Sequence, residues 1–96
     1  MLVFSISLPP VGAADVVERT LTVTIGDNAP QTLNPAIDAT ETGELQGNDN
    51  DAVHAELVDT DDAGNQSQPS TLDAVLSDTI PPPQPGQMGI NVIREE

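Results

Sequence analysis

The residues best suited to chemistry lie in one acidic stretch, Asp59-Thr60-Asp61-Asp62-Ala63-Gly64-Asn65-Gln66-Ser67. Carboxylates at positions one and three, with glycine at position six, match the opening of a calcium loop. Position five is Ala63 and position twelve is Ser70, where a bidentate glutamate would be needed, so an EF-hand loop is excluded. The residues leave open a looser calcium site on Asp59, Asp61, Asp62 and Asn65, extended by Asp49 or Asp51. No other cofactor is expected. The competing and favoured expectation is a solvated turn, in which Asp and Asn side chains cap their own backbone. His54 is the sole histidine. No second histidine or serine nucleophile motif accompanies it, so a surface position is expected rather than a catalytic one. The glycines form no phosphate-binding loop.

Charge narrows the partners. Sixteen acidic residues face two arginines, Arg19 and Arg94, for a net charge of −14. Nucleic acid is disfavoured, because phosphate contacts need Lys and Arg. Anionic membrane surfaces are disfavoured for the same reason, and no apolar run approaches the ~20 residues of a spanning helix. Membrane insertion is therefore not expected. Without cysteine, disulfides and zinc–thiolate sites are out.

The elements that must position these residues read as strands. Helical periodicity is weak and period-two runs recur. Phe4, Ile6 and Leu8 alternate with Ser5 and Ser7, which predicts a first strand over Leu2–Leu8 rather than a leader peptide. Leu21, Val23 and Ile25 alternate with Thr20, Thr22 and Thr24. A short edge strand is expected over Gln31–Ile37, and another over Thr42–Gln46. Val53, Ala55 and Leu57 alternate with His54, Glu56 and Val58. The Gly64-Asn65 turn then leads to a strand over Thr71–Ser77, and Met88, Ile90 and Val92 alternate once more. Six or seven short strands predict an all-β, small antiparallel β-sandwich. The division expected is a β-sandwich core over 1–78, a proline-rich spacer over 79–87, and a C-terminal strand and tail over 88–96. With one aromatic residue, Phe4, the core must be aliphatic.

The pattern Asp-x-x-Gly-Asn-x-Ser-x-Pro-Ser at Asp61–Ser70 and the exit Asp78-Thr79-Ile80-Pro81-Pro82 resemble immunoglobulin-like and fibronectin type III-like modules of bacterial and phage surface proteins. Pro9-Pro10 ahead of the alternating strand adds to the likeness. By that resemblance the aromatic core positions are replaced by Ile6, Arg19 and Val53. The chain also begins at the family's second strand, and the equivalent of the first strand is Gln87–Arg94, at the C-terminus. This strand either folds back, giving a circular permutant, or is exchanged with a neighbouring copy. Nine residues from Asp78 to Gly86 reach at most ~30 Å, so reach decides neither way. The proline content favours exchange.

The resemblance implies a non-enzymatic structural or assembly protein, a phage virion accessory or decoration subunit on capsid or tail. Its expected partners are other copies of itself and a larger virion or surface protein, met through β-strand edges. The expected interface residues are Met88, Ile90 and Val92 of the last strand and Leu2, Phe4 and Ile6 of the first. The alternative is an extracellular or cell-surface adhesin-like module binding a glycan or protein, with calcium. A third reading, an acidic inhibitor mimicking nucleic acid, suffers from carboxylates that cluster in turns.

Overall fold

The computed structural model describes residues 1–77 and 87–96. The expected spacer falls almost wholly outside these residues. Seven strands form: β1 Leu2–Ser7, β2 Val16–Ile25, β3 Gln31–Leu33, β4 Leu45–Gly47, β5 Ala52–Asp61, β6 Ser70–Val75 and β7 Gly89–Glu95. They make two antiparallel sheets, in the order β4-β1-β7 and β3-β2-β5-β6. The fold is an all-β sandwich, as the alternation predicts.

The two sheets meet through an aliphatic core with one ring. Leu2, Phe4 and Ile6 of β1, with Met88 and Ile90 of the last strand and its approach, face Leu21, Val23, Ile25, Val53, Ala55 and Leu57 of the larger sheet. The side chains that alternate with these point to the opposite face of each sheet, as the period of two requires, and in β1 that face is covered too, with Val3 and Ser5 buried. Burial of such side chains is worth about 1.5–3 kcal/mol each. Gly47 sits where the sheets close. A Cβ there would meet Leu76 Cδ1 and come within 3.0 Å of Ile25 Cγ2.

The registers define two ends. Leu2 lies opposite Gly47 and Glu95, while Ile25 lies opposite Val53. That lower end carries both termini and the turns over 26–30 and 48–51. The upper end carries the connections over 8–15, 34–44 and 62–69. Val75 is at the lower end, opposite Ala52, and Gly89 at the upper end, opposite Ser7.

Several boundaries differ from the sequence expectation. β3 stops at Leu33 rather than reaching Ile37, as Pro35 removes a donor. β4 begins at Leu45 rather than Thr42. Thr42 is held by β1 instead, donating its amide to the Ile6 carbonyl at 2.9 Å and accepting from the Ile6 amide on its hydroxyl at 3.0 Å. β2 and β5 are longer than expected, at ten residues each. β6 ends at Val75, and Leu76 turns into the core, bonding Asn50 and Asp51.

Two β-bulges break the alternation. In β2 the register shifts between Val16 and Glu18, leaving Val17 58% exposed. In β7, Val92 pairs with Phe4 and Arg94 with Val3, so Ile93 is the extra residue and is 47% exposed. A bulge inserts one unpaired residue and turns its side chain out.

Candidate functional site

Two places gather the residues that the sequence singled out: the acidic turn at the upper end, and the seam between β1 and β7.

At the acidic turn the Asp59 and Asp61 carboxylates are occupied by their own chain. Asp61 Oδ1 accepts the amides of Ala63 and Asn65 at 3.0 and 2.8 Å, and Oδ2 accepts Asn65 Nδ2 at 3.2 Å. These donors stabilise the ionised carboxylate and hold Asp61 below the usual aspartate range, the Asn65 backbone amide contributing most. Gly64, at φ +86°, supplies the left-handed step that closes the turn. Asp59 faces the other way, taking the Arg19 Nε at 2.8 Å. Asp62 contributes its amide to the Asp15 carbonyl. The turn brings Asp61 and Asn65 together but turns Asp59 away, while Asp49 and Asp51 lie at the opposite end. Among the described residues no group of three or more acidic or histidine side chains could hold a metal ion. The looser calcium site on Asp59, Asp61, Asp62 and Asn65 is thus corrected to a self-capped turn.

Arg19 is the residue that sequence reasoning underrated. Its inward phase, two before Leu21, was the available signal. It is 1% exposed and is the largest fully buried side chain. Beside its bond to Asp59, its Nη1 donates to the Pro9 carbonyl at 2.7 Å, and the Asn34 amide donates to its backbone carbonyl at 3.1 Å. One guanidinium therefore ties β2 to β5 and to the β1–β2 connection. Beside it a cleft of about 320 Å³ opens between residues 12–16 and residues 59–67.

His54 lies on the outer face of the larger sheet, in a row with Thr24 and Asp73. Its Nδ1 is 2.6 Å from Asp73 Oδ1, and its Nε2 is 3.4 Å from Glu56 Oε1. Both carboxylates favour the imidazolium and raise its pKa, Asp73 more strongly. Since Nε2 faces Glu56, it is not poised as a base for the Thr24 hydroxyl. The row is an exposed charge cluster.

At the seam, β7 pairs with β1 of its own chain over six residues of β1. Residues 88–96 therefore belong to the sandwich core rather than forming a separate unit, and the strand folds back. Met88 and Ile90 are buried and Val92 packs against the core. On the outer face Arg94 grips Glu44 with Nη1 and Nη2 at 2.8 and 3.0 Å, reaching across β1, and its Nε meets Glu96 at 2.8 Å. At the lower end Met1 and Glu96 exchange backbone bonds of 2.9 and 2.7 Å. β1 is the middle strand of its sheet. Leu2, Phe4 and Ile6 thus have no free edge, which corrects the expectation that β1 adds to a neighbour's sheet as it stands. They become an interface only if β7 leaves.

No protein-family model matches the chain, and no curated protein or solved structure matches it, so the likeness to immunoglobulin-like and fibronectin type III-like modules rests on the residues that carry it.

Proposed function

We propose that this protein is a non-enzymatic structural module that assembles with other copies by exchanging its last strand. The setting that its resemblance suggests is an accessory or decoration subunit of a phage particle, bound to a larger virion protein. The observation behind this reading is the β1–β7 seam. β7, with Met88 just ahead of it, supplies Ile90 and Val92 to the core and covers the whole of one β1 edge, and it begins at the upper end although β6 finishes at the lower end. A second copy's β7 offers the same backbone donors, the same apolar phase and the same Arg94–Glu44 grip. Exchange therefore conserves the contacts of the closed chain while linking two chains.

The chain has no cysteine, so a register-specific crosslink gives a clean test. Ser5 and Asn91 are direct partners across the seam, where Cβ atoms stand about 4.5–5.5 Å apart. In the Ser5→Cys/Asn91→Cys variant, oxidation at high protein concentration yields covalent dimers and longer ladders on a non-reducing gel. Only internally bridged monomers at every concentration, with monomeric light scattering for the unmodified protein, would refute exchange.

A further inference from the structure

The cleft at the upper end has one wall from the β1–β2 connection and one from the β5–β6 turn. The walls are bonded to each other and to the core. The Asp62 amide meets the Asp15 carbonyl at 3.1 Å, and Arg19 holds both Pro9 and Asp59 beneath. The cleft is therefore preformed, which lowers the ordering cost of an occupant. Its volume of about 320 Å³ stands at the small end of ligand pockets, roughly 300–1,000 Å³. That suits a single side chain.

Its lining combines carbon and negative charge. Ala13 and Val16 supply apolar surface, and the bulge turns Val17 out to solvent beside Val16. Asp59 and Asp61 are already engaged. Asp15 lines the cleft, and its exposed carboxylate has no side-chain partner among the described residues. One unengaged carboxylate is too little for a divalent ion, which takes several oxygen ligands. It suits a single cationic head on an aliphatic stem.

The source of that cation follows from charge accounting. The chain has no lysine. Arg19 is buried against Asp59, and Arg94 is held by Glu44 and Glu96. His54 lies between Asp73 and Glu56. A second copy thus has no unengaged cation to offer. We propose that the cleft docks a lysine or arginine side chain from a basic segment of a different protein, with the stem on Ala13 and Val16 and the head on Asp15. This does not depend on strand exchange, since the cleft contains no β7 residue.

The test is amide-resolved NMR titration with a capped Gly-Lys-Gly peptide, its arginine counterpart, and an Nε-acetyl-lysine control. The expected result is saturable shifts at Ala13, Asp15, Val16 and Gln66 with the cationic peptides and none with the acetylated one. Asp15→Asn weakens binding about tenfold, as loss of a charge-assisted bond does. Asp27→Asn, an equal charge change at the lower end, leaves it unaltered. Ala13→Phe fills the cleft without changing charge and abolishes the shifts. Shifts spread over the whole acidic surface, equal weakening by Asp27→Asn, retention in Ala13→Phe, or saturable calcium binding at the same amides would each overturn the proposal.

Discussion

Asp59→Ala should be among the most destabilising single changes outside the aliphatic core, and Arg19→Met much less so. The reasoning starts from the asymmetry of the pair. Arg19 is 1% exposed at its side chain and Asp59 is 16% exposed. Removing Asp59 strands a guanidinium in the interior with only the Pro9 carbonyl as acceptor. Breaking a buried pair from one side costs about 3–5 kcal/mol. Water entering by the cleft reaches the Asp59 position, which brings the cost to the bottom of that range or just below it, about 2–3 kcal/mol. For a domain of this size that is a fall of roughly 8–24 °C in Tm. Arg19→Met removes the buried charge and keeps most of the volume. Asp59 can then hydrate through the cleft, and the loss reduces to the Pro9 bond, about 1 kcal/mol. Urea unfolding followed by far-UV circular dichroism measures both, since the chain has no Trp or Tyr to report by fluorescence. The double variant Arg19→Met/Asp59→Ala should recover stability relative to Asp59→Ala alone. If Asp59→Ala lies within about 0.5 kcal/mol of the unaltered protein, the range of an unimportant surface change, or if Arg19→Met is the worse of the two, the buried-charge account is wrong.

Two further outcomes are expected. Gly47→Ala forces a methyl against Leu76 and Ile25 and should cost about 1–3 kcal/mol by overpacking; in thermal melts, adding Leu76→Val should return part of that loss. His54 should titrate above its ordinary value of 6.5 in a histidine NMR titration, falling back when Asp73→Asn removes the main cause. Because its folded value is the higher one, the stabilisation is full below the unfolded pKa and fades as pH rises through the folded pKa.

The sheet pattern was legible because period two needs only local information. Leu21, Val23, Ile25 and Val53, Ala55, Leu57 face inward as their spacing requires. The bulges at Val17 and Ile93 were not legible, since neither stretch carries a glycine or proline to mark the extra residue. The β3–β4 connection was misread for a related reason. There, Thr42 and Asn34 side chains make bonds that the sequence pattern assigns to a strand. The acidic turn shows the deeper limit. A count of carboxylates cannot give their directions, and Asp59 turns inward because of Arg19, forty residues away. Asp61, by contrast, caps a turn whose glycine and asparagine lie within four residues, which is why the turn reading was available from the start. The alternation of Ile90 and Val92 in the last strand was also legible as phase. Whether that strand closed its own domain was not, because reach permits both outcomes.

The charge and the seam bear on one another. The proposed exchange of β7 would conserve the buried contacts, so its equilibrium would rest on what differs: the connection to β6, the entropy of association and the encounter of two chains of like charge. The sequence between β6 and β7 holds Pro81, Pro82, Pro83 and Pro85. Repulsion acts against the encounter and is screened over about 10 Å at 0.1 M salt. A basic partner seated in the upper cleft would reduce that repulsion locally, at the end where β7 begins at Gly89 beside Ser7. The acidic surface then has a physical use. Under the proposed exchange it would keep free chains apart, and a cationic partner that gathers them would favour the exchange.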